Sequence, residues 1–229
     1  AVVKCIVDTN AGRVPIIVGH GGNNTAALVE GLKTRNWDGV DGILTVAPYY
    51  NKPNQVGIYE HFAAIAEATD LPIMLYNVPG RTCSNIASLT AIELAINFDN
   101  IKAIKEASGN FEQIMDLIDN RPEGFKVVSG DDALTLGLLS VGMDGVVSVI
   151  ANAWPKEMSA MVNSILVDLD LPTARNLHYR MLNTMNAIFE EGSPGGIKAL
   201  MEHMGLLKNH VRLPLVEVGK SLNQELKIL

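Results

Sequence analysis

Runs of strand-forming apolar residues return along this chain, and their recurrence limits the fold more than any other feature of the sequence. Six such runs occupy residues 14–19, 42–48, 72–78, 101–107, 125–130 and 145–151. The segments between them show helical periodicity, with Ile58, Phe62 and Ile65 on one face. Strands that alternate with helices form parallel βα units. Because the runs are almost continuously apolar, we expect both faces of the sheet to be covered.

Two arrangements of such units are open, a doubly wound sheet and a (β/α)8 barrel. Six strands fit the open sheet, whereas the barrel needs two more. The first residues, "AVVKCIVD", have the pattern of the end of an amphipathic helix, with Val2, Val3, Ile6 and Val7 apolar. We therefore expect the chain to begin inside a βα unit, with front units absent from the sequence.

Strand patterns stop after residue 152, and four helical patterns follow. The first is expected to complete the last βα unit. The turn around Pro172 then marks the start of a separate helical part. These patterns predict two domains, residues 1–168 with the strands and residues 169–229 as a C-terminal helical domain.

Charge and composition exclude several classes of partner. The net charge is −7, from 18 basic and 25 acidic residues, and the basic residues are scattered. Duplex nucleic acid and an anionic membrane surface are therefore not expected as partners. No apolar stretch is long enough for a membrane span. The first residues do not have the pattern of a secretion signal, and Cys5 and Cys83 are too few for a disulfide framework. We expect a cytoplasmic protein.

No metal or nucleotide cofactor is expected from the motifs. The histidines do not have the paired spacing of metal ligands. The segment "VGHGGNN" departs from the glycine patterns of nucleotide-binding loops. "SGDDA" leaves two interpretations open, a cation site or a helix cap formed by Asp131 or Asp132.

Lys105 is the first candidate for chemistry, because the strand at 101–107 contains two lysines, Lys102 and Lys105. Residues three apart in a strand point to opposite faces, so one lysine can be solvated while the other meets an apolar face. Lys105 shares its face with Ala103 and Ala107 and lies near the carboxyl end of its strand, where sites of parallel sheets form. A lysine held away from water is more readily neutral, and a neutral amine attacks a ketone to form an imine. The alternative is a lysine paired with Glu106 or extended to the rim.

The preceding strand ends in "LYNVPGRT", which places Tyr76 and Arg81 at the same edge of the sheet. Imine chemistry requires a proton shuttle, which a phenol supplies, and a guanidinium fits a carboxylate. The alternative is a core tyrosine with an exposed arginine. Tyr49 and Tyr50 end the strand before that, and one is expected to serve the site and the other an interface.

Five segments, "PYYNKP", "YNVPGRT", "IKEASGN", "SGDDA" and "GVVSVIAN", together with "SPGGIKALM" in the helical part, closely resemble the dihydrodipicolinate synthases. These belong to the class I pyruvate aldolase superfamily, with the N-acetylneuraminate lyases as relatives. The resemblance covers essentially the whole chain. Arg81 is similar to the synthase pattern rather than to that of the lyases.

The resemblance implies a (β/α)8 barrel with a C-terminal helical domain, in which pyruvate condenses with L-aspartate-4-semialdehyde in lysine (diaminopimelate) biosynthesis without a cofactor. Lys105 would form the Schiff base, Tyr76 would donate and accept protons, and Arg81 would hold the semialdehyde carboxylate. Tyr50 would enter the relay of a neighbouring subunit. The substrate-binding residues would also include Gly130 and Val147.

A homotetramer built from dimers, or a dimer, is implied by the same resemblance. Asn23 and Tyr49 match positions where the family binds the feedback inhibitor L-lysine at a dimer interface. Ala27 stands where the family usually has a glutamate at that site, so we do not expect strong lysine sensitivity.

The sequence departs from the family pattern at its front, where a "GTTGE"-type segment is not found. In the family, its threonine links the two tyrosines. The resemblance therefore implies a barrel that lacks roughly its first two βα units. Two alternatives follow, another pyruvate-dependent aldolase acting on a sugar acid, and a non-catalytic truncated barrel with an assembly or binding role.

Overall fold

The computed structural model describes residues 1–228, which form two compact units, one from Ala1 to Val128 and one that begins at Ser129. The first unit alternates helices and strands along the chain. Its elements are α1 (Val2–Asn10), β1 (Ile17–Gly19), α2 (Thr25–Thr34), β2 (Gly42–Val46), α3 (Gln55–Glu67), β3 (Ile73–Asn77), α4 (Pro79–Thr82), α5 (Ser88–Asn97), β4 (Ile101–Glu106) and α6 (Phe111–Asn120).

The strands form one six-stranded sheet in chain order, β1 to β6, with β5 at Lys126–Ser129 and β6 at Gly145–Val146. The pairs β1–β2, β2–β3 and β3–β4 are parallel. Each strand is followed by at least one helix, as parallel neighbours require a crossover connection. The predicted α/β fold with six parallel strands is confirmed.

Asparagine side chains begin three of the helices that follow strands. Asn24, Asn54 and Asn110 accept hydrogen bonds from backbone N–H groups three residues on, at 3.1, 2.9 and 3.2 Å. Each bond satisfies a donor that the first turn of a helix leaves unpaired. The turns from strand to helix are therefore fixed locally at the edge of the sheet where the candidate residues lie.

The core of the first unit forms where α3 and its neighbours cover one face of the sheet. Ile58, Phe62 and Ile65, the apolar face predicted for α3, are all buried. The strands contribute fully buried side chains from alternate positions, including Leu75 and Ile104. This face is therefore tightly packed, and the residues between these positions point the other way.

The N-terminal helix α1 confirms the helical pattern at the start of the sequence. Its apolar side chains are poorly covered, since Val2 and Ile6 are exposed while Val3 and Val7 are half-buried. Asn10 is its buried residue, and the amide of Asn10 donates to the carbonyl of Val14 at 2.7 Å.

The second unit is largely helical and packs around its own core. Its helices are α7 (Thr135–Ser140), α8 (Pro155–Leu166), α9 (Leu171–Glu190), α10 (Gly195–His203) and α11 (Lys220–Ile228), with a short 3₁₀ helix at Ile150–Asn152. Four methionines, Met158, Met161, Met181 and Met185, are buried in this core. The four helical patterns after residue 152 thus correspond to α8–α11. The predicted domain boundary at residue 168 lies between α8 and α9 and stays a prediction.

The last predicted strand is shorter than its apolar run. Of residues 145–151, only Gly145 and Val146 are in a strand, and the 3₁₀ helix takes over from Ile150. Asp132 accounts for the change, because its Oδ2 accepts hydrogen bonds from the backbone N–H groups of Val149 and Ile150 at 3.0 and 2.7 Å. Throughout residues 1–228, none of the helices has the length and apolar character needed to span a membrane.

Candidate active site

Lys105 and Tyr76 lie side by side on neighbouring strands. Tyr76 in β3 is in register with Lys105 in β4, so both side chains project from the same face of the sheet. The Lys105 Nζ atom is 4.1 Å from the centre of the Tyr76 ring. Lys105 is only 9% exposed. An amine and a phenol therefore share a sheltered position near the carboxyl ends of two adjacent strands.

An irregularity in β4 brings these two side chains together. Ile73 pairs with Ile101, but the next residue of β3, Met74, pairs with Ala103. Lys102 is thus an extra residue in β4, and it is exposed. In a regular strand, Lys102 would share a face with Ile104 and Glu106, but the irregularity removes it from that alternation.

Burial and a nearby cation act on the Tyr76 phenol in opposite directions. Burial raises the pKa of Tyr76 above its ordinary value, and the positive charge of Arg81 opposes that rise. Arg81 itself lies in the short helix α4 and is exposed. Its guanidinium is therefore close enough to Tyr76 to affect the phenol and remains accessible to a dissolved carboxylate.

Behind the lysine and the tyrosine lies a buried polar pair that the sequence interpretation did not single out. Asn77 and Glu106 follow Tyr76 and Lys105 directly, are in register, and are both 0% exposed. The Asn77 amide donates to Glu106 Oε2 at 2.9 Å, and the Ser108 N–H donates to Oε1 at 2.7 Å. Burial raises the pKa of the Glu106 carboxyl, and hydrogen bonds from Ser108 and Asn77 oppose the rise.

The sequence did contain a signal for this pair, because Glu106 is a carboxylate on a face of its strand that otherwise carries apolar side chains. In the sequence interpretation, Glu106 appeared only in the alternative in which it pairs with Lys105. Consecutive strand residues point to opposite faces, so the Glu106 side chain leaves the sheet on the side opposite Lys105.

The two tyrosines after β2 lie in a strained turn. Tyr50 has a φ of 73° and is 87% exposed, whereas Tyr49 is 43% exposed. A positive φ is costly for an aromatic residue and persists only where its surroundings hold it. Here the Tyr50 N–H donates to the Thr82 carbonyl at 3.4 Å, which ties the turn to α4.

Asn23 is placed beside these tyrosines. Its amide donates to the Tyr49 carbonyl at 3.1 Å, and the Asn51 amide donates to the Asn23 carbonyl at 3.3 Å. The two residues predicted for a regulatory site are therefore neighbours. Ala27 is exposed in the first turn of α2.

In the second unit, Gly130 and Val147 follow β5 and β6 and are both half-buried. The Val147 N–H donates to the Ser129 carbonyl at 2.8 Å. Of the two aspartates in "SGDDA", Asp131 accepts from the Leu134 N–H at 3.2 Å, close to the start of α7, while Asp132 binds the backbone before the 3₁₀ helix. Among residues 1–228, no three His, Cys, Asp or Glu side chains are grouped as metal ligands.

Comparison with known proteins places this geometry in a family. The model of the dihydrodipicolinate synthetase family matches residues 1–229. The 4-hydroxy-tetrahydrodipicolinate synthase of Flavobacterium psychrophilum is 47% identical over 227 residues, which cover 99% of this chain and 77% of the relative.

Solved structures with similar folds carry the same family name. The dihydrodipicolinate synthase of Acinetobacter baumannii, complexed with pyruvate, matches with a TM-score of 0.93 and 39% identity, over 99% of this chain and 77% of that one. The enzyme of Cyanidioschyzon merolae with lysine bound matches with a TM-score of 0.88 and 41% identity, over 93% and 72%. The resemblance predicted from the motifs, and the class of enzyme that it implied, are confirmed. The chain belongs to the dihydrodipicolinate synthetase family.

Proposed function

We propose that this chain condenses pyruvate with L-aspartate-4-semialdehyde through a Schiff base on Lys105, the reaction that supplies lysine (diaminopimelate) biosynthesis. The observation that carries the proposal is the 4.1 Å approach of the buried Lys105 Nζ to the Tyr76 ring. An amine that bonds covalently with a keto acid needs both shelter from water and a proton carrier within reach. Family membership supports the same chemistry.

The first half-reaction joins pyruvate to the protein. The Lys105 nitrogen attacks the keto carbon, the resulting carbinolamine loses water, and an imine remains. Loss of a proton from the pyruvate methyl group then gives an enamine, because the imine accepts the electron pair. The Tyr76 hydroxyl moves protons in the addition and dehydration steps. No cofactor is needed, since the imine itself is the electron sink.

The second half-reaction uses Arg81. The enamine carbon attacks the aldehyde of the semialdehyde, whose oxygen takes a proton and becomes a hydroxyl group. Arg81 holds the semialdehyde carboxylate, and its exposure and its charge near Tyr76 support that role. The amino group of the semialdehyde then attacks the imine carbon, which closes the ring and releases Lys105. Gly130 and Val147 belong to the substrate-binding residues in this proposal.

The fold, the assembly and the location of the protein are further parts of the proposal. The six strands in chain order are six of the eight strands of a (β/α)8 barrel, with residues 169–229 as its helical domain. The exposed, strained Tyr50 reaches a neighbouring subunit of a homo-oligomer, a dimer or a tetramer, and enters its proton relay. The free thiols of Cys5 and Cys83, both exposed, suit the reducing cytoplasm.

L-Lysine is the proposed inhibitor, at a site that includes Asn23 and Tyr49. Their direct hydrogen bond supports this pairing, and the Cyanidioschyzon merolae enzyme was solved with lysine bound. Ala27 offers no carboxylate to the ligand's ammonium group, so we expect weak inhibition.

Borohydride reduction in the presence of pyruvate tests the proposal. The expected result is a stable adduct mapped by mass spectrometry to Lys105. Lys102→Ala is the matched control because it removes the exposed lysine of the same strand, and it should be trapped like the unaltered protein. Trapping of Lys105→Ala, or no adduct in the unaltered protein, would contradict the proposal. Turnover with aspartate semialdehyde, compared with a sugar aldehyde, separates the synthase from a sugar-acid aldolase.

A further inference from the structure

The pairing of β3 with β4 changes register by one residue at Lys102, and only the register after this change suits the proposed chemistry. Before Lys102 the pairing is Ile73 with Ile101, and continuing it without the extra residue would place Ile104 beside Tyr76. Lys105 would then pair with Asn77 and point to the opposite face of the sheet. The observed register, shifted by one residue, is what puts Lys105 beside Tyr76.

The Asn77–Glu106 hydrogen bond belongs to the observed register. The two residues pair directly, and their side chains meet at 2.9 Å on the face opposite Tyr76 and Lys105. In the unshifted register, Asn77 would face Lys105 and this bond would be lost. The last residue pair of the two strands, Asn77 with Glu106, therefore distinguishes the two registers.

The Glu106 carboxylate is held from three directions. Oε2 accepts from Asn77 in β3 at 2.9 Å and from the Gln113 amide in α6 at 3.5 Å, while Oε1 accepts from the Ser108 N–H in the turn after β4 at 2.7 Å. Asn77 is fixed in turn, because its Oδ1 accepts from the Ile86 N–H at 2.9 Å. Because these donors are uncharged N–H groups, they fix the position of the carboxylate through the geometry of their hydrogen bonds and not through opposite charge.

We propose that Asn77 and Glu106 are positioning residues whose hydrogen bond selects the shifted register and so holds Lys105 against Tyr76. This inference rests on the proposed function, since it concerns the rate at which Lys105 reacts with pyruvate. An apolar pair at these positions would be buried as readily and would suit both registers. The polar pair suits one, because leaving either partner unsatisfied in the core is costly.

Exchanging the two functional groups tests the proposal. Glu106→Gln places amide and amide together, and Asn77→Asp places carboxylate and carboxylate together. The double variant Asn77→Asp/Glu106→Gln restores an amide facing a carboxylate with the same total charge. We expect the rate of borohydride trapping with pyruvate to fall about 10- to 100-fold in each single variant. The double variant should recover at least about tenfold over the slower single variant.

Asn100→Ala is the matched stability control. Asn100 precedes the other end of β4, where its amide donates to the carbonyls of Ala66 and Thr69 at 2.9 and 2.7 Å. Losing these two bonds should destabilise the same strand far from Lys105. We expect this variant to be trapped within about twofold of the unaltered rate, since geometry at the reacting end is unchanged.

The outcomes separate the two proposals. If the unaltered protein is not trapped, the proposed function fails. If it is trapped and both single variants react at its rate, the positioning role is overturned while the function stands. A double variant no faster than the slower single variant overturns it too. If Asn77→Asp does not fold, the trapping rate of Glu106→Gln is compared with that of Asn100→Ala at temperatures equally far below their unfolding midpoints. Equal trapping rates would then contradict the inference.

Discussion

Replacing Tyr76 by phenylalanine isolates the hydroxyl group of the proposed proton carrier. The phenylalanine ring can occupy the position of the Tyr76 ring, whose centre is 4.1 Å from the Lys105 Nζ atom. The contact between the Lys105 nitrogen and the ring face is therefore largely kept. What disappears is the O–H group, and with it the transfer of protons in the dehydration of the carbinolamine.

The expected fall in kcat follows from the loss of the hydroxyl group alone. A positioned general acid or base contributes about 10²- to 10⁴-fold to a rate, which corresponds to about 3–5 kcal/mol of activation free energy. Tyr76 is half-buried, so removal of its hydroxyl should alter the free energy of unfolding by no more than about 1 kcal/mol. We expect kcat to fall about 100-fold or more, with KM for pyruvate changed by less than about threefold.

Steady-state kinetics on matched variants check this expectation. Tyr59→Phe is the control, because Tyr59 is also half-buried and its hydroxyl accepts a hydrogen bond from the Asn97 amide at 2.9 Å. It should leave kcat unchanged. The reasoning would be refuted if Tyr76→Phe kept kcat within about threefold of the unaltered protein, below the smallest effect of a general acid. Equal losses in both variants would also refute it.

Two further changes act on the anion-binding group and on a buried histidine. Arg81→Ala should raise KM for aspartate semialdehyde about 10- to 100-fold, the value of a charged hydrogen bond, while pyruvate is still trapped on Lys105. A KM for the semialdehyde that does not change would remove Arg81 from the site. Burial lowers the pKa of His61 to about 4 from 6.5, so the unfolded chain takes up this proton at higher pH than the folded protein. The free energy of unfolding therefore has its full value above pH 6.5 and decreases as the pH falls toward 4. The decrease is about 2 kcal/mol at about pH 5. Urea unfolding at pH 5 and 7.5 should show this loss in the unaltered protein and not in His61→Gln, and equal losses in both would contradict the assignment.

The sequence predicted the sheet because each strand carries its own apolar signal. Residues 42–48 and 72–78 contain all of β2 and β3, and a strand buried on both faces is recognised from its composition alone. The helical face of Ile58, Phe62 and Ile65 was equally local and is buried. Candidate site residues could be named for the same reason, since polar residues at the carboxyl ends of parallel strands share one edge of the sheet.

The register and the polar pair behind the site could not be predicted in this way. Pairing depends on a neighbouring strand, so the local pattern gave Lys102 the face of Ile104, while the extra residue in β4 leaves Lys102 exposed. The end of β6 was missed for a similar reason. Its apolar run continues to residue 151, but the backbone N–H groups of Val149 and Ile150 are bound by Asp132, a residue 17 positions from Val149.

These two limits have a common physical origin, which bears on how the site is built. A strand alternates its side chains automatically, so the dipeptides Tyr76–Asn77 and Lys105–Glu106 each send one side chain to either face of the sheet. Alternation alone does not decide which residue of one strand lies beside which residue of the other, and a shift of one residue would exchange the faces of Lys105 and Glu106 relative to β3. That shift would take the Glu106 carboxyl group away from its amide donors and turn it to the face of the sheet on which Tyr76 lies, at a cost of several kcal/mol. In our proposal, the hydrogen bonds that hold Lys105 in place therefore lie on the face of the sheet opposite the one that binds substrate.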